Sequence, residues 1–233
     1  MTCWMDRTYR WNRDPGRGDG RVRAKAALFD LDGTLIDSER RSLALWRLLL
    51  VNHGVDHDDS LLREFMGRRG PDVLAEKSVL FPGKRVEDLL AELTTYVDAP
   101  GLPEIGPVPG AADLVRRIDG HGLPVVLVTS ARRWWAESCL EIVGVGDVVR
   151  TIVSAEDVVL GKPDPSCFLA GAAAVGVRPE DCVAFEDSLA GITAAKAAGM
   201  TCVGVATTHH ASELFAADMV VADLSGVEWP LPL

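Results

Sequence analysis

Six short apolar runs, each ending in polar or glycine residues, constrain this chain more than any other feature. They read AALFD (26–30), VVLVTS (125–130), VVRTIVS (148–154), CVAFED (182–187), TCVGVA (201–206) and DMVVAD (218–223). Strands look like this when helices cover both faces of a parallel sheet, because neither face then needs polar alternation. Helical patterning fills the intervals at 110–120, 132–143, 165–175, 189–198 and 211–216, several of them closed by Gly120, Gly144, Gly176 or Gly199. The alternation predicts a doubly wound α/β fold with ligands at the carboxyl ends of its strands.

The rhythm breaks once, because no strand pattern occurs between Asp37 and Gly106. Helical patterning runs instead over 39–53, 59–66, 71–79 and 85–97, with Asn52-His53-Gly54 and Pro82-Gly83 as breaks. This predicts an all-helical insertion, 38–107, set into an α/β core of 24–37 and 108–233. Two linkers would hinge it, one near 36–38 and one through Pro100, Pro103, Pro107 and Pro109. Residues 1–23 show neither period and read as an extension, with Trp4 and Trp11 as candidates to pin it to the body.

Charge narrows the partners. The chain holds 24 Lys and Arg against 34 Asp and Glu, a net of -10. Seven of the basic residues and three of the acids fall in residues 1–25, so the remainder carries 17 against 31, a net of -14. Such a field repels nucleic acid and anionic membrane, so neither is an expected partner. A phosphate-binding site on this surface needs local positive charge from a metal, a lysine or backbone amides. Five cysteines (Cys3, Cys139, Cys167, Cys182, Cys202) without a CxxC pair read as free thiols of a reducing cytoplasm. No run has the length of a membrane span, and the first 23 residues lack the apolar stretch of a signal peptide.

The chemistry gathers at strand ends. Asp30 and Asp32 lie two apart, so an extended chain projects them to one side, and Gly33 permits a sharp turn that brings amides near a bound anion. Thr129 and Ser130 close the second core strand, Lys162 lies in GKPDP after the third, and Glu186 and Asp187 close the fourth. Each has an ordinary explanation alone: a turn, a β-branched strand residue, a loop cation, caps of the helix after Ser188. Together they place hydroxyl, ammonium and carboxylates on one edge of one sheet.

These residues, as DLDGTLIDSE (30–39), Thr129, GKPDP (161–165) and FEDS (185–188), resemble the four signature motifs of the haloacid dehalogenase superfamily. The chain is similar to its phosphatase branch, with a Rossmann-like core and a helical cap after the first motif, and the likeness spans roughly 24–225. The resemblance implies Asp30 as nucleophile and Asp32 as general acid and base. It implies Mg²⁺ held by Asp30, the main-chain carbonyl of Asp32, Glu186 and Asp187. Lys162 would neutralise Asp30 and a phosphoryl oxygen, Thr129 would donate to another, and amides near Gly33 and Ser130 would complete the cradle.

The expected substrate is a small phosphorylated metabolite, a sugar or polyol phosphate. Residues 196–208 are similar to glycerol-3-phosphate and 2-deoxyglucose-6-phosphate phosphatases. The family's specificity loop would fall at 65–70, where Arg68 or Arg69 either binds substrate or is a solvated helix-end charge, and Glu39 is placed to face the site. A phosphosugar mutase resembling β-phosphoglucomutase is the enzymatic alternative. Such mutases carry a histidine and an arginine where this chain has Ser42 and Gly70. A non-catalytic metabolite-binding protein is the alternative of another class. Dehalogenation of carbon is disfavoured by Asp32 and the acidic fourth motif. Monomer and homodimer both fit, and none of the five histidines (53, 57, 121, 209, 210) has ligand spacing.

Overall fold

The computed structural model describes residues 10–11, 24–65 and 68–231. Its main sheet runs in the order β1 (Arg10–Trp11), β9 (Met219–Val221), β8 (Thr201–Val205), β7 (Cys182–Glu186), β2 (Ala26–Phe29), β5 (Val125–Val128) and β6 (Thr151–Val153). All pairings are parallel except β1 on β9, which places Arg10 and Trp11 opposite Val220 and Met219. The next two core strands, β5 and β6, run outward from β2 on one side, and the chain then returns to its other side for β7 to β9. Strand order therefore reverses at β2 and β7, where open α/β sheets form their ligand crevice.

Alternate residues of β2 feed two separate cores. Ala27 and Phe29 pack under α5 (Ala111–Gly120) and α6 (Arg133–Val143), while Ala26 and Leu28 pack under α7 (Ser166–Ala174) and α8 (Leu189–Ala197). Both faces are buried, which explains the unbroken apolar runs.

Between β2 and β5 the chain forms α1 (Glu39–Asn52), α2 (Asp59–Arg63), α3 (Gly70–Glu76) and α4 (Val86–Thr95). These helices bury a cluster of their own, which includes Trp46, Leu49, Leu62, Phe65, Val73, Phe81 and Leu89. The two linkers lie against one another as a short antiparallel ladder, β3 (Ile36–Asp37) with β4 (Gly106–Pro107), a pairing too brief to leave a strand pattern in the sequence.

Two expected elements differ. Residues 211–216 form turns instead of a helix, because the return from β8 to β9 is short and is anchored by Leu214, buried against Gly204. The run 148–154 is a strand only over β6, since the Val149 amide bonds the Val145 carbonyl in a turn after α6. Cys139, Cys167, Cys182 and Cys202 are free and buried, whereas Cys3 and Trp4 lie outside the described residues. Among the described residues no helix is long and apolar enough to cross a membrane.

Candidate active site

The sheet delivers its chemistry through rigid neighbours. Phe29 and Phe185 stack between β2 and β7 at 4.4 Å, and the next residues along each strand are Asp30 and Glu186. The Asp30 amide still bonds the Phe185 carbonyl (3.0 Å), and Thr129 continues the ladder to Val153 (2.9 Å). Asp30, Thr129, Lys162, Glu186 and Asp187 are all buried.

Lys162 joins them. Its ammonium bonds Asp30, Glu186 and the Val128 carbonyl (3.3 Å for the last). Burial pulls the lysine toward its neutral form, but the attraction of Asp30 and Glu186 outweighs this and raises its pKa, so it stays charged. The carboxyl of Asp30 is pushed up to about 7 by burial, against the pull of Lys162 and with help from Glu186 and Asp32. Asp187 is also raised well above its ordinary value, by burial and then by Glu186, Asp30 and Glu39. One buried ammonium thus faces several carboxyls and leaves an excess of negative charge.

That excess is what a hard divalent cation would relieve. Carboxylate oxygens of Asp30, Glu186 and Asp187 lie within 4.8 Å of one another, an all-oxygen donor set that fits Mg²⁺. Glu186 is fixed by the Ser188 amide (2.9 Å) and hydroxyl (3.0 Å), while Ser188 caps α8 at the Gly191 amide (3.0 Å). A Cβ on Gly191 would fall 1.7 Å from the Glu186 carboxylate, so only glycine admits it here. The sequence carried no sign of this requirement.

Asp32 has a different environment. Its Oδ1 accepts from the Ser38 hydroxyl (2.6 Å) and the Trp135 indole N–H (3.0 Å). Burial raises its pKa although both hydrogen bonds oppose the rise, which favours the protonated carboxyl. Ser38 occupies the N-cap of α1 yet makes no capping bond, its hydroxyl being turned to Asp32 instead. In the sequence Ser38 stands only at the end of the 36–38 linker, with nothing to mark it as a partner of Asp32.

The family model described as haloacid dehalogenase-like hydrolase matches residues 24–199. This chain belongs to that family. It is 42% identical over 206 residues to validoxylamine A 7'-phosphate phosphatase of Streptomyces hygroscopicus subsp. limoneus, covering 88% of this chain and 97% of that protein. Hexitol phosphatase A of Escherichia coli (strain K12) is 31% identical over 208 residues, covering 88% and 94%. The β-phosphoglucomutase structure from Clostridium difficile shares the fold, with a TM-score of 0.75 at 23% identity over 88% of this chain and 94% of that one. The expectation of a phosphatase of the haloacid dehalogenase-like family is borne out at the level of family and enzyme class.

In this hydrolase a cavity of about 590 Å³ lies between the sheet edge and the helical insertion, walled by Asp30, Asp32, Thr129 and Ser130 on one side and Trp46, Phe65 and Arg68 on the other. Thr129 Oγ1 accepts from the Ala131 amide (3.0 Å), which leaves its proton to donate, and Ser130 Oγ is buried without a partner. Ser42 and Gly70 also line the cavity.

Two expected contacts change. The amide of Gly33 is bonded to the Ile36 carbonyl (2.8 Å) and so is not part of an anion cradle. With φ of +87° and only 2.0 Å between a would-be Cβ and Asp187, Gly33 serves close approach to that carboxylate. Arg69 does not line the cavity. Its guanidinium reaches the carbonyls of Val158 (3.3 Å) and Val159 (2.8 Å) in the core, tying the insertion to the loop before Lys162. Arg68 does line it, with its charge matched by Glu76 at 2.6 Å. Met66 and Gly67 of the expected specificity loop lie outside the described residues.

Proposed function

We propose that the chain is a Mg²⁺-dependent phosphomonoesterase that works through a phospho-aspartate on Asp30 and acts on a sugar or polyol phosphate. An Asp30 oxygen attacks phosphorus in line while the bond to the leaving oxygen breaks, and Asp32 gives that oxygen its proton. Asp32, now ionised, takes a proton from water as the water oxygen attacks phosphorus. The bond from phosphorus to Asp30 breaks, which releases phosphate and restores the carboxylate.

Throughout, Lys162 holds Asp30 and offsets charge on the phosphoryl group, with the Thr129 and Ser130 hydroxyls as donors to its other oxygens. Asp30, Glu186, Asp187 and the Asp32 carbonyl would hold Mg²⁺, which when bound lowers the repulsion between a carboxylate and a phosphate dianion. The helical insertion would act as a cap, moving on the β3 and β4 linkers to admit substrate and exclude water. A cytoplasmic location fits the free, buried thiols.

The observation that carries this reading is the convergence of the Asp30, Glu186 and Asp187 carboxylates within 4.8 Å of one another, with the Lys162 ammonium bonded to Asp30 and Glu186. The named activities of the 42% and 31% identical relatives support a phosphorylated, sugar-like substrate. Mutase chemistry is less favoured, because Ser42 and Gly70 stand in the cavity where the mutases have their histidine and arginine.

The test is phosphate release from 4-nitrophenyl phosphate and from a panel of sugar and polyol phosphates, with Mg²⁺ and with a chelator. Metal-dependent release that vanishes in Asp30→Asn is expected. Absence of turnover across the panel would instead indicate a binding protein.

A further inference from the structure

We propose that Glu39 reads the leaving group: its carboxyl exchanges a hydrogen bond with a hydroxyl carried near the ester oxygen, selecting monophosphates of uncharged polyhydroxylated molecules over those with a second phosphate or a carboxylate. This rests on the phosphatase reading above and extends it to substrate choice.

Glu39 is the first residue of α1, a place where an acid usually sits in solvent and favours the helix dipole. Here it is only 7% exposed, and its Oε2 is buried with no hydrogen-bond partner. Buried polar atoms are nearly always bonded, and an orphan carboxyl oxygen is among the more costly to leave so. The same residue lines the cavity together with Asp30, Asp32 and Ser130. A ligand in that cavity is the partner the protein itself does not supply.

The surroundings specify the ligand's charge. Glu39 is buried in the cavity wall, so a second anion on the leaving group would lie against its carboxyl, whereas Asp98, which also lines the cavity, is exposed and its charge is screened. The guanidinium groups of the helical wall are already engaged, Arg41 with the carbonyls of Pro103 (3.1 Å) and Val97 (2.5 Å), and Arg68 with Glu76. Arg132, on the core wall, is an exposed residue whose charge solvent screens. Trp134, 59% exposed, adds an aromatic surface on which the C–H face of a polyol can pack. Hydroxyl donors satisfy such a wall where carboxylate or phosphate would not.

The experiment compares catalytic efficiency of the wild type, Glu39→Gln and Glu39→Ala on a hexitol monophosphate, a hexose bisphosphate and 4-nitrophenyl phosphate, all with Mg²⁺. The ratio of hexitol phosphate to aryl phosphate efficiency should fall roughly ten- to hundredfold in Glu39→Ala. Glu39→Gln, which keeps an acceptor oxygen, cannot ionise and offers N–H donors to an anion, should gain on the bisphosphate relative to the monophosphate. Both variants should melt no lower than wild type, since each removes an unpartnered buried carboxyl, and the melts confirm that they fold.

A ratio within about threefold of wild type in both variants, with aryl phosphate turnover intact, would overturn the role of Glu39 alone. Wild-type preference for the bisphosphate would do the same. Wild-type protein that hydrolyses none of the three esters would overturn the phosphatase reading and this inference with it.

Discussion

At the sheet edge, Asp30 and Glu186 are buried and each bonded to the buried Lys162, whereas charges in the helical insertion pair near the surface, as Lys77 does with Glu64 and Glu76, and Arg85 with Asp88. Exposed pairs contribute about 0–1 kcal/mol each, while a buried charge stripped of its partner costs several times that. The edge is therefore intolerant of change, as the proposed reaction there requires. The insertion is tolerant, and under the same proposal only the few side chains that reach the cavity bear on the substrate.

The largest effect should come from breaking the edge. Lys162→Ala leaves Asp30 and Glu186 facing each other without their cation, so loss of about 10³-fold in turnover is expected. Stability should fall by about 3–5 kcal/mol. A denaturant melt and a steady-state assay check both, and a variant as stable as wild type would mean that the carboxyls do not depend on the ammonium.

The metal-free edge also predicts a pH dependence. The Asp30 carboxyl has an ordinary value of 3.8 and a folded value of about 7. Between them the folded chain binds a proton that the unfolded chain does not, so stability falls as pH rises through this window. Mg²⁺ competes with that proton and should stabilise more at pH 8 than at pH 5. At a hundredfold excess over its dissociation constant the shift at pH 8 should be roughly 5–10 °C in Tm. Equal shifts at both pH values, or a metal-free Tm that climbs from pH 4 to 7, would contradict the acid cluster.

The smallest effect should come from the insertion. Arg69→Ala removes two hydrogen bonds to the core loop and should cost about 1 kcal/mol in stability and a few-fold in catalytic efficiency, because the tether lies outside the cavity. A loss matching that of Lys162→Ala would erase the distinction between the two regions.

The two regions also differ in how far the sequence discloses them. Strand ends were legible because burial on both faces makes an apolar run that stops where the backbone meets the crevice, which placed Asp30, Thr129 and Glu186 together. Helix starts in the insertion were legible from period alone, but the directions of Arg68 and Arg69 were not. Adjacent residues on a turn diverge, and one faced the cavity while the other faced the core. The turns at 211–216 were misread because one buried leucine among exposed neighbours suits either a turn or a short helix.

The sequence by itself determined the layer architecture and the chemical types at each strand end, since periodicity and local composition dictate both. Tertiary structure alone decided which groups touch: Ser38 leaving its helix to hold Asp32, Trp135 reaching the same oxygen from 103 residues away, Gly191 making room for Glu186. Contacts between remote segments depend on how the sheet and helices pack, and a local pattern carries no record of that.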